Sequence, residues 1–426
     1  MQFSLNDKVH GFRVDRITDL CDIKAMGYEM THEKSGARLF YVASDDDNKV
    51  FTIGFRTPSR DDTGVAHITE HSVLCGSRKY PVKEPFVELV KGSLNTFLNA
   101  MTYSDKTVYP VASRNDKDFR NLVDVYLDAV FYPNTYKNPF TLRQEGWHYE
   151  FDEAGQLVYN GVVYNEMKGV YSSPDAVEEN EVNKALFPDT PYRFESGGYP
   201  EEIPTLTQEM FLDFHKTYYS PQNSFIYLYG NMDIDAYLSY LDEAYLSHFD
   251  KDPDFSVKIP LQAPFDRTKE VTAYYPEAQG VDVDHKTYLS LNIVMGSSLD
   301  QKQTMALKVL TKVLFEGETP PCALPSCGPV SAVMYQAASM PPSSSPFFLS
   351  ALAAVRKVKK TVSSRSFTAR SRSFPARASR RNLWKQNSAA KNSRCAKLIS
   401  MSTQKDSSMD FRSWRLGFMV GILRRA

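Results

Sequence analysis

Hydrophobic and polar positions alternate in three runs near the amino terminus, at residues 26–31, 38–44 and 50–56. Alternation of this kind is typical of strands with one buried face. The runs are separated by Ser35-Gly36 and by Asp45-Asp46-Asp47-Asn48, which favour turns. The pattern therefore predicts three adjacent antiparallel strands.

Helical spacing of apolar positions appears in several later segments. The clearest are residues 84–94, 118–131 and 162–186, the last interrupted near Pro174. Residues 96–111 predict a hairpin between two of these helices. Strands and helices come in groups rather than in a repeated strand-helix-strand order. The predicted fold class is therefore α+β, with a mixed, mainly antiparallel sheet and helices packed on one face.

Charge divides the chain near residue 318. Residues 1–318 hold 49 Asp and Glu against 31 Lys and Arg, whereas residues 319–426 hold two acidic residues against 19 basic ones. Few single domains show such asymmetry. We predict a first domain over 1–250, a proline-containing linker over 251–268, the start of a second domain over 269–318 and a basic Ser/Arg-rich tail over 319–426.

The origin of the tail has three interpretations. It can be the product of a shifted reading frame, a disordered basic arm, or an unrecognised domain. A nucleic-acid-binding arm is not expected, because the tail lacks interleaved aromatic residues and repeated basic motifs.

Composition adds only broad limits. Hydrophobic residues make up 42% of the chain, enough for full cores, and no apolar run reaches the 18 residues of a membrane span. Five scattered cysteines without a CxxC pair do not suggest a disulfide framework. The amino terminus resembles neither a secretory signal nor an organelle presequence, so we expect a cytoplasmic location.

The strongest chemical signal is the run His67-Ile68-Thr69-Glu70-His71, in a segment that Asp62 or Thr63 can cap and Gly76 can end. Two imidazoles four residues apart lie on one helix face, so both can reach one metal ion. Glu70 lies on the same side, where a carboxylate can stand beside a water molecule without being a ligand. A solvated helix face that happens to carry two histidines is the alternative interpretation.

A candidate third ligand, Glu166, comes 95 residues after His71, where the helical segment 162–186 begins. Two imidazoles and one carboxylate, with one open position, form the ligand set of catalytic zinc sites. We therefore predict one Zn²⁺ per chain, held by His67, His71 and Glu166. Such an N, N, O set does not strongly select zinc over Mn²⁺ or Co²⁺.

These motifs resemble those of a known family. The run His67–Pro81, with residues 165–171 and 97–102, is similar to the pitrilysin/insulinase (M16) zinc peptidases, and more closely to their presequence-protease-like branch. The resemblance covers residues 1 to about 318. It implies a fold of the pitrilysin type, with a second related domain that lacks the metal and is cut short here.

The resemblance also implies a mechanism. Zinc would activate a water molecule that attacks a peptide carbonyl, with Glu70 as the general base. An edge strand containing Asn99, Ala100 and Met101 would bind the backbone of a short unfolded peptide. An ordinary buried hairpin is the alternative for that segment.

The predicted function is therefore zinc-dependent endopeptidase action on short unstructured peptides. In the family a second half supplies an Arg and a Tyr that hold the substrate, and this chain lacks that half, so we expect weak activity. The alternatives are a non-catalytic peptide-binding subunit and a truncated, inactive homologue. The presence of all three ligands and of Glu70 favours the enzyme.

Overall fold

The structure is a computed structural model that describes residues 3–83, 85–277, 288–297, 300–306, 309, 332–336, 346–354 and 418–425. The chain forms two compact units. The first consists of Met1–Ser173 with Phe194–Ile259, and the second of Pro174–Arg193 with Pro260–Ala426.

The strands and helices alternate in groups along the chain. The strands are β1 (Lys8–Val9), β2 (Phe12–Leu20), β3 (Ala25–His32), β4 (Arg38–Ala43), β5 (Lys49–Arg56), β6 (Asn95–Leu98), β7 (Met101–Thr102), β8 (Lys106–Ser113), β9 (His148–Phe151), β10 (Leu157–Asn160), β11 (Ser224–Tyr229), β12 (Lys269–Tyr275), β13 (Tyr288–Ser297), β14 (Ala332–Gln336), β15 (Pro346–Ala354) and β16 (Phe418–Arg425). The α-helices are α1 (Val65–Val73), α2 (Pro85–Gly92), α3 (Asp116–Phe131), α4 (Phe140–Glu145), α5 (Val162–Val170), α6 (Pro174–Leu186), α7 (Gln208–Tyr218) and α8 (Ile234–Ala244).

A nine-stranded sheet forms the centre of the first unit, in the order β1-β2-β3-β4-β11-β5-β8-β6, with β7 also paired to β8. All its pairs are antiparallel except β4 with β11. The predicted α+β class with a mixed, mainly antiparallel sheet is confirmed.

One predicted neighbour relation is wrong. The strands β3 and β4 pair as expected, but β11 lies between β4 and β5. Alternation along a strand predicts which face is buried, but it contains no information on which strand lies beside it. The buried side chains of Ile226 and Leu228 allow β11 to fill this central position.

The core of the first unit lies between the sheet and α3. Asn115 caps this helix by accepting a hydrogen bond from the Asp118 backbone N–H. One helix face then packs on β8 and β5. The side chains buried there include Phe119, Leu122 and Tyr126 of the helix and Phe51, Ile53 and Tyr109 of the strands.

The predicted helix over 162–186 is interrupted where expected, because α5 ends at Val170 and α6 begins at Pro174. The helix predicted over 84–94 is observed as α2, and Glu84 lies outside the described residues.

The second unit contains a five-stranded sheet in the order β12-β16-β13-β15-β14. Two of its strands, β12 and β13, lie in the segment predicted to begin a second domain, and residues 301–306 are helical. The strands β14, β15 and β16 lie in the segment predicted as a tail. The rest of 319–426 lies outside the described residues, as does most of 307–318.

Candidate metal centre

The helix α1 begins at a glycine rather than at the predicted polar cap. Gly64 is the capping residue, with φ +70°, and no side chain caps the helix. The predicted cap is wrong because both candidate side chains are used elsewhere. Asp62 accepts a hydrogen bond from the Glu195 backbone N–H, and Thr63 donates to Asp61.

Gly64 lies against the glycine pair Gly197-Gly198. A Cβ at residue 64 would lie 2.6 Å from the Gly198 Cα and 2.7 Å from the Gly197 carbonyl oxygen. Only a residue without a side chain permits this approach in a left-handed conformation. The contact holds the start of α1 against residues 197–198.

Both histidines lie on one side of α1, and the opposite side of the helix is buried. His67 and His71 have ring centroids 4.9 Å apart. The side chains of Val65, Ala66, Ile68, Thr69, Ser72 and Val73 are buried. The imidazoles are partly accessible, with 13% and 26% of their side-chain surface exposed.

The Glu166 side chain, on α5, lies beside the two imidazoles. Its Oε2 is 3.8 Å from the Nε2 of His67 and 3.8 Å from the Nε2 of His71. The three ligand atoms lie within 4.8 Å of one another, a geometry able to hold a metal ion. A tetrahedral ion bound at about 2.0–2.1 Å separates its ligand atoms by roughly 3.4 Å, so the 3.8 Å distances need a closure of only about 0.4 Å. The residues present therefore fit zinc.

The other nitrogen of each histidine also has an acceptor nearby. His67 Nδ1 lies 3.1 Å from the Gly197 carbonyl oxygen, and His71 Nδ1 lies 3.3 Å from Glu145 Oε2. A proton on each Nδ1 satisfies these acceptors and leaves each Nε2 lone pair available to a metal ion bound beside Glu166. Contacts of this kind orient metal-binding histidines.

Electrostatics in the centre are dominated by carboxylates. Burial lowers the pKa of His71, but the hydrogen bond with Glu145 and the charges of three neighbouring carboxylates outweigh burial, so the pKa is raised. Burial raises the pKa of Glu145, but hydrogen bonds from its three partners outweigh burial, so the pKa is lowered. The site therefore has the negative potential that attracts a cation.

The candidate base Glu70 is buried, with 7% of its surface exposed. Thr102 Oγ1 donates a 2.7 Å hydrogen bond to Glu70 Oε2. Among the described residues, no hydrogen bond reaches the other carboxylate oxygen, Oε1. Thr102 belongs to β7, so this bond joins the candidate base to the hairpin.

The candidate substrate-binding residues lie at the sheet edge. The strand β6 is the last strand at one edge of the sheet. Asn99 and Ala100 link it to β7, which begins at Met101. Asn99 is exposed, while Ala100 and Met101 are half-buried. The Asn99 N–H donates inward to the Pro110 carbonyl oxygen, so the segment is attached to β8 on one side.

Two models of known protein families match the sequence of this chain. The model of "Insulinase (Peptidase family M16)" matches residues 50–191, and that of "Peptidase M16 inactive domain" matches residues 205–350. The chain belongs to the M16 peptidase family. The first match contains all the candidate metal and base residues. The second match extends beyond residue 318, where the resemblance noticed in the sequence ends.

Several curated proteins resemble this M16 chain. Protein HypA of Clostridium perfringens is 52% identical over 323 residues, which are 75% of this chain and 33% of the relative. Presequence protease 1, chloroplastic/mitochondrial, of Arabidopsis thaliana is 48% identical over 297 residues (69% and 27%). The mitochondrial presequence protease of Mus musculus is 36% identical over 326 residues (75% and 31%). The chain thus spans about a third of the length of these relatives.

Solved structures support the fold. A protease from Helicobacter pylori has a TM-score of 0.65 at 16% identity, covering 93% of this chain and 99% of the other. Pitrilysin has a TM-score of 0.63 at 15% identity, covering 95% of this chain and 41% of the other. The M16 chain therefore has the predicted pitrilysin-like fold. In the part of the chain that the structure describes, we find no helix with the length and apolarity needed to cross a membrane.

Sequence reasoning missed the residues around the candidate ligands. Glu145 contacts His71 from 74 positions away, and Gln144 in turn donates to Glu145. Gly197 lies 130 positions from His67, whose Nδ1 faces its carbonyl oxygen. The histidine nearest to Glu145 in the sequence is His148. That residue donates from Nδ1 to the Arg143 carbonyl oxygen at 2.7 Å, a local contact. No spacing rule relates these partners to α1.

Proposed function

We propose that this chain carries the catalytic centre of a zinc-dependent metalloendopeptidase that cleaves short unstructured peptides. One observation carries the proposal: two Nε2 atoms on α1 and one carboxylate oxygen on α5 converge beside a buried glutamate. Membership in a peptidase family agrees with it. The match to the inactive domain covers none of these residues, so it does not favour a non-catalytic subunit.

His67, His71 and Glu166 would hold the ion. Zinc in such a site supplies Lewis acidity, which polarises a carbonyl oxygen and lowers the pKa of a water molecule to about 7. The acceptors on the two Nδ1 atoms keep both imidazoles in the tautomer needed for binding.

Glu70 acts as the general base. Thr102 occupies Oε2, so Oε1 accepts the proton of the water that attacks the peptide carbonyl. Glu70 then returns this proton to the leaving amine.

The edge strand supplies a site for the substrate. An unpaired strand edge offers backbone N–H and C=O groups to any extended peptide, whatever its side chains. The position of β6, at the end of the sheet and near the β7 threonine that contacts Glu70, supports peptide binding by Asn99, Ala100 and Met101.

Metal content and peptide cleavage of three variants test the proposal. We expect one zinc per wild-type chain, Glu166→Gln to lose the metal, and Glu70→Gln to retain it while cleavage falls by about 10²–10⁴. Glu209→Gln changes an exposed glutamate on α7 and serves as the control. Unchanged cleavage by Glu70→Gln would exclude Glu70 as the base, and a metal-free wild type would exclude the zinc centre.

Weak activity and a cytoplasmic location remain predictions. Weak activity is tested by assaying this chain beside a full-length relative with one labelled peptide. The cytoplasmic location is tested by fractionating cells, and the organelle names of the Arabidopsis and mouse relatives make this test informative.

A further inference from the structure

Glu145 connects the candidate metal centre to its surroundings. It is the last residue of α4, just before Gly146, and only 6% of its surface is exposed. Both carboxylate oxygens have partners. Oε2 faces His71 Nδ1 at 3.3 Å, while Oε1 accepts from Gln144 Nε2 at 2.8 Å and from Cys75 Sγ at 3.3 Å.

Two of the three hydrogen-bond partners of this buried carboxylate carry no charge. Gln144 and Cys75 are neutral donors, and among the described residues His71 is the only basic side chain within 4.0 Å of the Glu145 carboxylate. A buried charge is costly unless it is paired. A dication bound to His71 Nε2 would provide the missing positive charge through the imidazole ring.

The two histidines differ in this respect. His67 Nδ1 faces a neutral backbone carbonyl, whereas His71 Nδ1 faces a carboxylate. A carboxylate acceptor makes the imidazole a more basic ligand and adds a negative charge near the ion. The His71 side of the centre therefore depends on a side chain that a substitution can remove.

We propose that Glu145 is a positioning residue that orients His71 and strengthens metal binding by the whole centre. It accepts a hydrogen bond from His71 Nδ1, which keeps the Nε2 lone pair available to the ion that Glu166 would also bind. This inference rests on the proposed function, because it requires that His71 binds a metal ion. It adds a residue outside the ligand set and predicts an effect on affinity that needs no measurement of peptide cleavage.

Zinc affinity of the full chain tests the proposal, measured by competition with a chromophoric chelator. Glu145→Gln keeps the shape and one acceptor but loses the charge, and we expect about 10-fold weaker binding; Glu145→Leu loses both, and we expect about 100-fold. The visible absorption of bound Co²⁺ should change in both variants, because it reports the ligand geometry at His71.

Asp128→Asn is the matched control. Asp128 is a buried carboxylate on α3 that accepts hydrogen bonds from the Arg78 side chain and the Lys79 backbone. Its substitution should lower the melting temperature of the metal-free chain while zinc affinity stays within about twofold of wild type. This control separates loss of stability from loss of positioning.

The outcomes are distinguishable. Weaker zinc binding by the Glu145 variants, with wild-type affinity in Asp128→Asn, supports the proposal. Wild-type affinity in Glu145→Gln and in any folded Glu145→Leu overturns it and leaves the proposed function intact. Equal weakening in the Asp128 control also overturns it. A wild-type chain that binds no zinc overturns the proposed function together with this inference.

Discussion

Gly64→Ala should separate the start of α1 from residues 197–198. The new Cβ would lie 2.6 Å from the Gly198 Cα, against 3.4–4 Å for ordinary contact, an overlap of at least 0.8 Å. It would also lie 2.7 Å from the Gly197 carbonyl oxygen and 2.9 Å from the Gly198 nitrogen. All three atoms belong to the backbone, so no change of rotamer relieves the overlap.

Two costs contribute to the expected loss of stability. A left-handed conformation costs a residue with a Cβ about 1–2 kcal/mol. Overpacking against backbone costs about 1–3 kcal/mol more. Gly155→Ala isolates the first cost, because Gly155 has φ +75° and its Cβ would meet no atom within 4 Å.

Urea unfolding and zinc affinity should both respond. We expect Gly155→Ala to lower the free energy of unfolding by about 1 kcal/mol and Gly64→Ala by roughly 2–5 kcal/mol. Only Gly64→Ala should also weaken zinc binding, because it displaces the carbonyl that faces His67 Nδ1. Equal losses in the two variants, with equal zinc affinity, would show that the close approach at Gly64 does not support the centre.

Three further predictions concern single side chains. Thr102→Val should lower kcat for peptide cleavage about tenfold at unchanged zinc content, because Glu70 loses its only hydrogen-bond donor among the described residues, and Thr102→Ser should restore it. Burial lowers the pKa of His215 from 6.5 to about 4, so its contribution to stability is complete above pH 6.5 and is lost progressively down to pH 4, by up to ~3 kcal/mol. Urea unfolding at pH 7 and pH 4.5 measures this loss, which His215→Phe should reduce. Gly169→Ala should raise the free energy of unfolding by about 0.5–1 kcal/mol, and with it the melting temperature, because Gly169 is helical and the new Cβ would meet nothing within 4 Å.

Local pattern predicted several elements of the first unit, including β3, β4, β5 and α3, but it predicted neither β2 nor the arrangement of the strands. Hydrophobic residues at every second position of β3, β4 and β5 indicate which face of each strand is buried. This information concerns each strand separately and does not identify its neighbours. The insertion of β11 between β4 and β5 depends on pairs such as Ser224 with Phe55 and Phe225 with Arg38, which lie 169 and 187 positions apart. Such contacts leave no periodic trace in the sequence, so the neighbour relation could not be derived from it.

The candidate metal centre shows the same division at the level of side chains. His67 and His71 are brought together by one helical turn, which any helix over these residues produces. Glu166 required a different argument, the chemistry of a third ligand, because its position depends on the packing of α5. The cap of α1 failed as a prediction because the identity of a capping side chain does not show whether another backbone group has already engaged it.

The partners of the histidines depend on both kinds of contact. Gly197 presents its carbonyl oxygen to His67 only because the adjacent glycines allow α1 to approach within van der Waals distance of this loop. Glu145 reaches His71 because α4 ends beside α1. The two histidine ligands are thus brought together locally, whereas their orientation depends on two distant segments. Substitutions in those segments should therefore change metal affinity even though every ligand is retained.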